Sequence, residues 1–172
     1  TSRGISKKVV DHFEIKMSVD QYGKPESHFY PYTKNGIIVA YKERKLPKEF
    51  RTHGDFKDCE LFGQSACTAG KHRIVITEGE LDACAVAQAF YDKYGKIYPV
   101  VSIPSASGTK VLLEQLSFIR RFETVVLFFD QDEAGQAAVE KAAKIIGAGR
   151  AKVAKLLEKD PSDELLKHGS AK

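Results

Sequence analysis

The sequence contains no apolar run near the roughly 20 residues that a membrane-spanning helix requires, and its first residues lack the charged-then-apolar pattern of a secretory signal. Its three cysteines (Cys59, Cys67 and Cys84) form no C-x-x-C pair and have no histidines at zinc-site spacing. No G-x-x-x-x-G-K-S/T stretch occurs, so the chain alone is not a P-loop motor. We therefore expect no membrane segment, no zinc in this chain and a reducing, cytosolic compartment.

The composition is that of a globular protein, with 42% apolar and 29% charged residues among 172. Basic residues exceed acidic residues by 27 to 23, and the excess is unevenly placed. Residues 1–72 carry 13 Lys and Arg against 9 Asp and Glu, whereas residues 73–172 carry 14 of each. This distribution predicts a basic surface next to an acidic site.

The pattern of the sequence changes near residue 72. In residues 1–72, turn signals containing glycine separate two β-rich runs, at 28–33 and 37–41, which predicts a small, basic, β-rich subdomain with an antiparallel sheet. Residues 73–172 alternate between apolar runs and helical spacing. The predicted strands are 73–77, 98–103, 124–129 and 151–157, and the predicted helices are 80–94, 111–122, 134–146 and 162–167. The expected fold class is α/β, with a four-stranded, mainly parallel sheet flanked by helices.

Acidic residues follow two of the predicted parallel strands. One strand runs directly into Glu78, with Asp82 one helical turn further on, and another runs into Asp130 and Asp132. Because the carboxyl ends of parallel strands meet at one edge of a sheet, we expect these carboxylates to converge. Carboxylates held together raise one another's pKa. A hard divalent cation such as Mg²⁺ would relieve that repulsion, so the pattern favours a metal site.

Acids at strand-to-helix junctions also serve as helix N-caps and as partners of the helix dipole. Glu80 and Glu133 fit that structural role as well as they fit a metal site. A receiver-like or nucleotide-binding α/β domain could carry similar acids, so spacing alone leaves these alternatives open.

The sequence resembles the TOPRIM domain shared by bacterial primases, topoisomerases and some nucleases, in residues 76–82 (ITEGELD) and 129–135 (FDQDEAG). Residues 159–164 (KDPSDE) resemble the third acidic element of the primase branch. The amino-terminal half is similar to the primase part of T-seven-type phage primase–helicases, to which mitochondrial Twinkle is related. The segments that carry this similarity are 30–32, 39–44, 50–51 and 61–64.

The resemblance implies a DNA-directed RNA polymerase that makes short primers for DNA replication, from ribonucleoside triphosphates on a single-stranded DNA template. It implies principal catalytic and metal-binding roles for Glu78, Asp130 and Asp132, and further metal-binding roles for Asp82, Asp160 and Asp163. The nucleotide- and DNA-binding positions that it implies are Lys42, Arg44, Lys48, Arg51 and Lys57. The implied cofactor is Mg²⁺, with Mn²⁺ as an alternative.

The chemistry that we expect is two-metal nucleotidyl transfer, in which the ions align a ribonucleotide 3′-hydroxyl with the α-phosphate of the next nucleotide. Glu78 could alternatively act as a general base beside the metals. For the basic stretch 42–57, the alternative to nucleotide or DNA binding is a structural role, as a solvated strand edge whose lysines prevent edge-to-edge aggregation.

The chain begins with Thr1 rather than Met, and we expect a fragment of a longer chain or a processed product. The resemblance implies a zinc-binding module upstream, a helicase domain downstream and the cytosol of a phage-infected bacterium as the location. Two other functions stay open on the sequence: a TOPRIM nuclease, in which water replaces the hydroxyl, and a non-catalytic module that binds single-stranded DNA.

Overall fold

Two four-stranded sheets form the framework of the protein in a computed structural model, which describes residues 4–67, 72–104, 106–147, 149–154 and 158–169. The first sheet contains β1 to β4 and the second contains β5 to β8. The predicted boundary near residue 72 falls between them, although the division into two domains remains a prediction.

The first sheet is an antiparallel meander in the order β1-β2-β3-β4. A short helix, α1 (Lys7–His12), precedes it, and its strands are β1 (Lys16–Val19), β2 (Pro25–Lys34), β3 (Ile37–Lys45) and β4 (Glu49–Gly54). The predicted antiparallel sheet is confirmed, and its two central strands are longer than the apolar runs suggested. The two edge strands were not predicted, because every residue of β4 is exposed and β1 has no buried position, so neither shows an apolar alternation.

The second sheet is entirely parallel, in the order β6-β5-β7-β8, and this confirms the predicted fold class. Its strands are β5 (Arg73–Thr77), β6 (Val100–Ser102), β7 (Thr124–Phe128) and β8 (Ala151–Val153). The helices of this half are α2 (Glu80–Tyr94), α3 (Lys110–Glu114), α4 (Leu116–Ile119), α5 (Glu133–Ile146) and α6 (Pro161–His168). The predicted end of the last strand, 155–157, lies outside the described residues.

The single helix predicted over 111–122 is wrong, because the chain forms two short helices that are interrupted at Gln115 (φ −98°, ψ 16°). Leu112 and Phe118 are both buried in the same core cluster. On one straight helix, residues six positions apart point about 120° away from each other. The interruption allows both side chains to reach that core.

Apolar side chains cover both faces of the second sheet. Ile74, Ile76 and Leu127 pack in a cluster that includes residues of α3, α4 and α5. On the opposite face, Val75 and Val100 join a second cluster that contains residues of α1, α2 and the first sheet, including Tyr30 and Tyr32. Because one core contains residues of both sheets and of α2, it fixes the first sheet beside the start of that helix.

None of the helices in the described ranges combines the length and the apolar character that a membrane span would need.

Candidate functional site

A cleft of about 350 Å³ lies between the first sheet and the carboxyl ends of the second-sheet strands. Acidic residues from the second half of the chain form one wall, and basic and aromatic residues from β2, β3 and β4 contribute to the other. The lining residues are Tyr30, Arg44, Lys48, Phe50, Gly79, Glu80, Leu81, Asp82, Asp130, Lys159, Asp160, Ser162 and Asp163. The predicted meeting of a basic surface with an acidic site therefore occurs at this cleft.

Glu78 occupies the position directly after β5, a strand whose last four residues are all buried. Its side chain is half-buried, and its Oε2 atom is buried without a hydrogen-bond partner among the described residues. Burial raises the pKa of the Glu78 carboxyl, and the negative charges of Asp130 and Asp132 raise it further. This acid is thus held where its charge is poorly compensated.

Asp82 lies in the first turn of α2, beside the glycine that caps this helix. A Cβ atom on Gly79 would lie 2.7 Å from Asp82 Oδ2, so the glycine leaves room for the carboxylate. The backbone N–H of Ser162, at the start of α6, donates a hydrogen bond to Asp82 Oδ1 (3.2 Å). Burial, followed by the charges of Asp160 and Asp130, raises the pKa of Asp82 to about 8.

Asp130 follows the strand β7 and is also half-buried. A glycine in the first turn of α5 makes its close approach possible, because a Cβ atom on Gly135 would collide with the carbonyl oxygen of Asp130. Burial raises the pKa of the Asp130 carboxyl, as do the charges of Asp160 and Asp132. The nearby Lys159 and Lys48 act in the opposite direction but do not cancel this effect.

Asp132 differs from these three acids because it is exposed and its charge is compensated. It is the N-cap of α5, and its Oδ1 accepts a hydrogen bond from the Gly135 backbone N–H at 3.0 Å. Lys159 Nζ lies 3.4 Å from its Oδ2. The hydrogen bond from Gly135 holds the pKa of Asp132 below its usual value, with a further contribution from Lys159. Asp132 therefore acts as a helix N-cap, which is the structural role expected of an acid at a strand-to-helix junction.

Asp160 and Asp163 bring the carboxyl-terminal helix into the same cleft. Asp160 is the N-cap of α6, and its Oδ1 accepts a hydrogen bond from the Asp163 backbone N–H at 2.8 Å. Pro161 occupies the first helical position, where its missing N–H costs no hydrogen bond. The segment predicted as a third acidic element thus lies opposite Asp82 and Asp130, whose pKa values respond to the charge of Asp160.

The described residues contain no group of three or more His, Cys, Asp or Glu side chains already arranged to hold a metal ion. Several features nevertheless suit a hard divalent cation. The donors are carboxylate oxygens, the pKa values of Glu78, Asp82 and Asp130 are all raised, and Glu78 Oε2 has no partner among the described residues. A bound cation would compensate this charge.

Glu80 has a different environment from Glu78, although only one residue separates them. Its side chain is 4% exposed and accepts two hydrogen bonds from Lys42 Nζ, at 2.9 and 3.1 Å. The Tyr32 hydroxyl donates a third hydrogen bond (2.5 Å) to Glu80 Oε1. The Lys42 ammonium also donates to the Pro104 carbonyl oxygen (2.7 Å), so the ion pair connects β3 to both α2 and the segment after β6.

The predicted basic positions fall into three different environments. Arg44 and Lys48 line the cleft, and Arg44 Nε is buried without a partner among the described residues. Lys42 is engaged by Glu80. Arg51 is exposed and pairs with Glu49 (2.7 Å), and Lys57 is an exposed residue in the segment that follows β4. Neither residue lines the described cleft. The nucleotide-binding role of all five remains a prediction.

Sequence reasoning missed the roles of Tyr32 and Phe50 at this site. Tyr32 is buried and holds Glu80, and Phe50 is exposed at the cleft. The two-residue period of a strand could have indicated Tyr32, because it lies two residues from Tyr30 on one face of β2. Phe50 could have been noticed as an apolar residue in an otherwise polar edge strand. The contact with Glu80 spans 48 residues and could not be read from local pattern.

Comparison with known proteins shows relatives for nearly the whole chain. The Toprim-like family matches residues 75–165. The DNA helicase/primase of Enterobacteria phage T3 is 35% identical over 169 residues, which cover 95% of this chain and 28% of that protein. The chain thus spans little more than a quarter of the length of this curated relative.

Solved structures of bacteriophage T7 proteins are also similar to this chain. The primase fragment of the T7 primase–helicase protein has 36% sequence identity and a TM-score of 0.86, and the match covers 98% of this chain and 69% of that one. A second structure contains the T7 lagging-strand DNA polymerase with primase domains of two gp4 subunits bound to an RNA/DNA hybrid and dTTP. It matches with 36% identity and a TM-score of 0.84, over 98% of this chain and 84% of that one. The chain therefore belongs to the Toprim-like family and, within it, to the primase domains of phage primase–helicases.

Proposed function

We propose that this chain is the core of a DNA primase, a nucleotidyltransferase that joins ribonucleotides into short primers on single-stranded DNA. The observation that carries the proposal is the cleft in which Asp82 and Asp130, two carboxylates with raised pKa values, lie with cationic and aromatic side chains. Glu78 and Asp132 do not line this cleft, but the charges of Asp130 and Asp132 raise the pKa of Glu78. Carboxylates of this kind suit metal ions that bind substrate phosphates, and the cations suit the phosphates themselves. The relatives support the same activity, since they are named as a helicase/primase and a primase fragment.

The metal-binding acids in this proposal are Glu78, Asp130 and Asp132, supported by Asp82, Asp160 and Asp163. A divalent ion, Mg²⁺ or Mn²⁺, would lower the pKa of the attacking 3′-hydroxyl and compensate charge on the pyrophosphate that leaves. The raised pKa values of Glu78, Asp82 and Asp130 support this assignment, because a bound cation would stabilise the ionised forms of these carboxyl groups.

The chain's own residues position the reactants. The side chains of Arg44 and Lys48 line the cleft together with the acids, so both can donate to the phosphates of a nucleotide or of the template backbone. Asp132 and Asp160 cap α5 and α6. The cap of α6 fixes the helix start that carries Asp160 and Asp163 to the cleft, and the cap of α5 fixes the turn after Asp130. The Lys42–Glu80 pair joins the basic wall to the start of α2.

The proposed partners are a single-stranded DNA template and ribonucleoside triphosphates. The basic positions Arg51 and Lys57, which lie outside the described cleft, would contact the template backbone as it leaves the site. In the full-length protein we propose a zinc-binding module upstream and a helicase domain downstream. We also propose that the protein acts in the cytosol of a phage-infected bacterium.

The test is incorporation of labelled ribonucleotides on single-stranded DNA with Mg²⁺ or Mn²⁺, starting from a short ribo-oligonucleotide that removes the need for template selection. The wild-type chain should extend the starter, and Glu78→Gln should abolish extension while circular dichroism remains unchanged and the unfolding midpoint does not fall. Glu133→Gln is the matched control, because Glu133 is an exposed acid in the first turn of α5.

Three outcomes would contradict the proposal. Extension at near the original rate in Glu78→Gln would remove the role assigned to that acid. Cleavage of the DNA without any incorporation would favour a nuclease. DNA binding with neither reaction would favour a non-catalytic binding module.

A further inference from the structure

Phe50 is an exposed aromatic residue that lines the charged cleft. It lies on the edge strand β4, directly opposite Arg44 on β3, and its side chain lines the cleft on the same face of the first sheet. The residue is 47% exposed, whereas Phe62 and Phe122 are almost completely buried. An exposed ring of this size keeps a large apolar area in contact with water.

The surroundings of this ring are cationic. Lys42 Nζ lies 5.1 Å from its centroid and Arg44 Cζ lies 5.9 Å away. Other phenylalanines, such as Phe13, Phe56 and Phe118, contact aromatic rings, but Phe50 has no aromatic neighbour within the described ranges. The packing of the aromatic core therefore does not explain its position.

We propose that the Phe50 ring is the platform on which the base of a nucleotide stacks inside this cleft. The inference rests on the proposed function and deepens it. The ring lies on the same wall as Arg44 and Lys48, and the acids lie across the cleft. When the phosphates of a nucleotide are held between the two walls, the ring therefore remains accessible to its base. Stacking on an aromatic side chain does not distinguish the four bases, since each has a π-face. Such a platform suits an enzyme that accepts different ribonucleotides at one site.

A purely structural role makes a different prediction. Phe50 also lies over the Lys42 ammonium, so the ring could act only as a cover that shields the Lys42–Glu80 ion pair from water. A leucine at position 50 would keep most of that apolar cover but would remove the flat π-surface. A change in nucleotide affinity without a change in stability therefore separates the two roles.

The first experiment uses the absence of tryptophan from the chain. Phe50→Trp introduces a single fluorescent reporter at the platform, and Tyr22→Trp places the same reporter at a turn residue that is 78% exposed and does not line the described cleft. Each variant is titrated with ATP and, separately, with inorganic tripolyphosphate, in the presence of Mg²⁺. We expect ATP to quench the Phe50→Trp emission while tripolyphosphate leaves it unchanged, and neither to quench Tyr22→Trp beyond inner-filter absorption.

The second experiment measures extension kinetics for Phe50→Leu. The KM for the incoming ribonucleotide should rise about five- to tenfold, kcat should change less than about twofold, and the unfolding midpoint should stay the same. Phe50→Tyr keeps the π-surface and should restore the wild-type KM.

Equal quenching of Phe50→Trp by ATP and tripolyphosphate, or no quenching by ATP in a protein that extends primers, would overturn the stacking role. A wild-type KM in Phe50→Leu would also overturn it. Failure of the proposed function is a separate result, because the wild-type chain would then incorporate no ribonucleotide under any of these conditions.

Discussion

Glu78 and Glu80 are the same amino acid, separated by one residue at the start of α2, yet their environments are opposite. Glu80 is directed toward the first sheet and is compensated by Lys42 and Tyr32. Glu78 is directed toward the acids of the second sheet, and one of its oxygens is buried without a partner among the described residues. Buried polar atoms are normally paired, so the contacts of Glu80 explain its burial within the chain, whereas the Oε2 atom of Glu78 is the atom for which we propose a metal ligand role.

The same difference separates the two regions around these residues. Between the sheets, charges are matched within the chain, and the ion pair connects three elements. At the carboxyl ends of β5 and β7, the charges are matched only in part, and this region holds the acids with raised pKa values. The first region therefore holds the elements around the cleft together, whereas the second is the region where we propose that a cation and a substrate bind.

The largest expected effect concerns the paired region. Lys42→Met removes one member of an ion pair whose side chains are 17% and 4% exposed, and it leaves Glu80 buried without its cation. We expect the free energy of unfolding, measured with urea, to fall by about 3–5 kcal/mol. Lys45→Met is the control, since Lys45 pairs at 3.6 Å with the exposed Glu26 and should cost less than about 1 kcal/mol. Equal losses in the two variants would contradict the structural role of the Lys42–Glu80 pair.

The unpaired region should give stability an unusual pH dependence in the absence of divalent ions. Since the pKa of Asp82 is raised to about 8 in the folded state, the folded chain retains a proton that the unfolded chain releases above its usual pKa near 4. The free energy of unfolding should therefore decrease as the pH rises from about 4 to 8, by up to about 1.4 kcal/mol per pH unit. The raised pKa values of Glu78 and Asp130 act in the same direction.

Urea unfolding in EDTA between pH 5 and pH 8 measures this slope. Asp82→Asn should remove most of it, and Mg²⁺ should restore stability to the wild-type protein at pH 8. Glu140→Gln, at an exposed position of α5, is the control and should keep the wild-type slope. A wild-type protein whose stability rises with pH over this range would show that these acids are already compensated.

The smallest expected effect concerns Lys48, an exposed cation that lines the cleft. Lys48→Gln should weaken binding of a labelled single-stranded oligonucleotide a few-fold and should reduce the slope of log affinity against log salt by about 0.7, the value for one phosphate contact. Lys24→Gln, in the turn between β1 and β2, removes the same charge at an exposed residue that does not line the described cleft, and it should change neither quantity. Fluorescence anisotropy across a salt series measures both variants. Identical salt slopes for wild type and Lys48→Gln would remove this residue from the phosphate-binding set.

The elements that the sequence predicted best are those whose signals are local. The bounds of β5 (Arg73–Thr77) and α2 (Glu80–Tyr94) are those predicted, because a run buried on both faces defines the strand and a left-handed Gly95 ends the helix. The interruption at Gln115 was not predictable, since it depends on where the core lies. The Lys42–Glu80 contact joins residues 38 positions apart and depends on how the two sheets pack. Motif spacing therefore located the acids, but only the structure distinguishes compensated from uncompensated ones.

The most direct test of this distinction is to titrate wild type, Glu78→Gln and Glu80→Gln with Mn²⁺ and to measure binding by electron paramagnetic resonance. Urea unfolding of the same three proteins measures their stability. Our interpretation predicts that Glu78→Gln weakens Mn²⁺ binding at least about tenfold and loses no stability, whereas Glu80→Gln binds Mn²⁺ as wild type does but unfolds at lower urea. If Glu80→Gln lost the metal while Glu78→Gln retained it, the assignment of structural and metal-binding roles to these two glutamates would be contradicted.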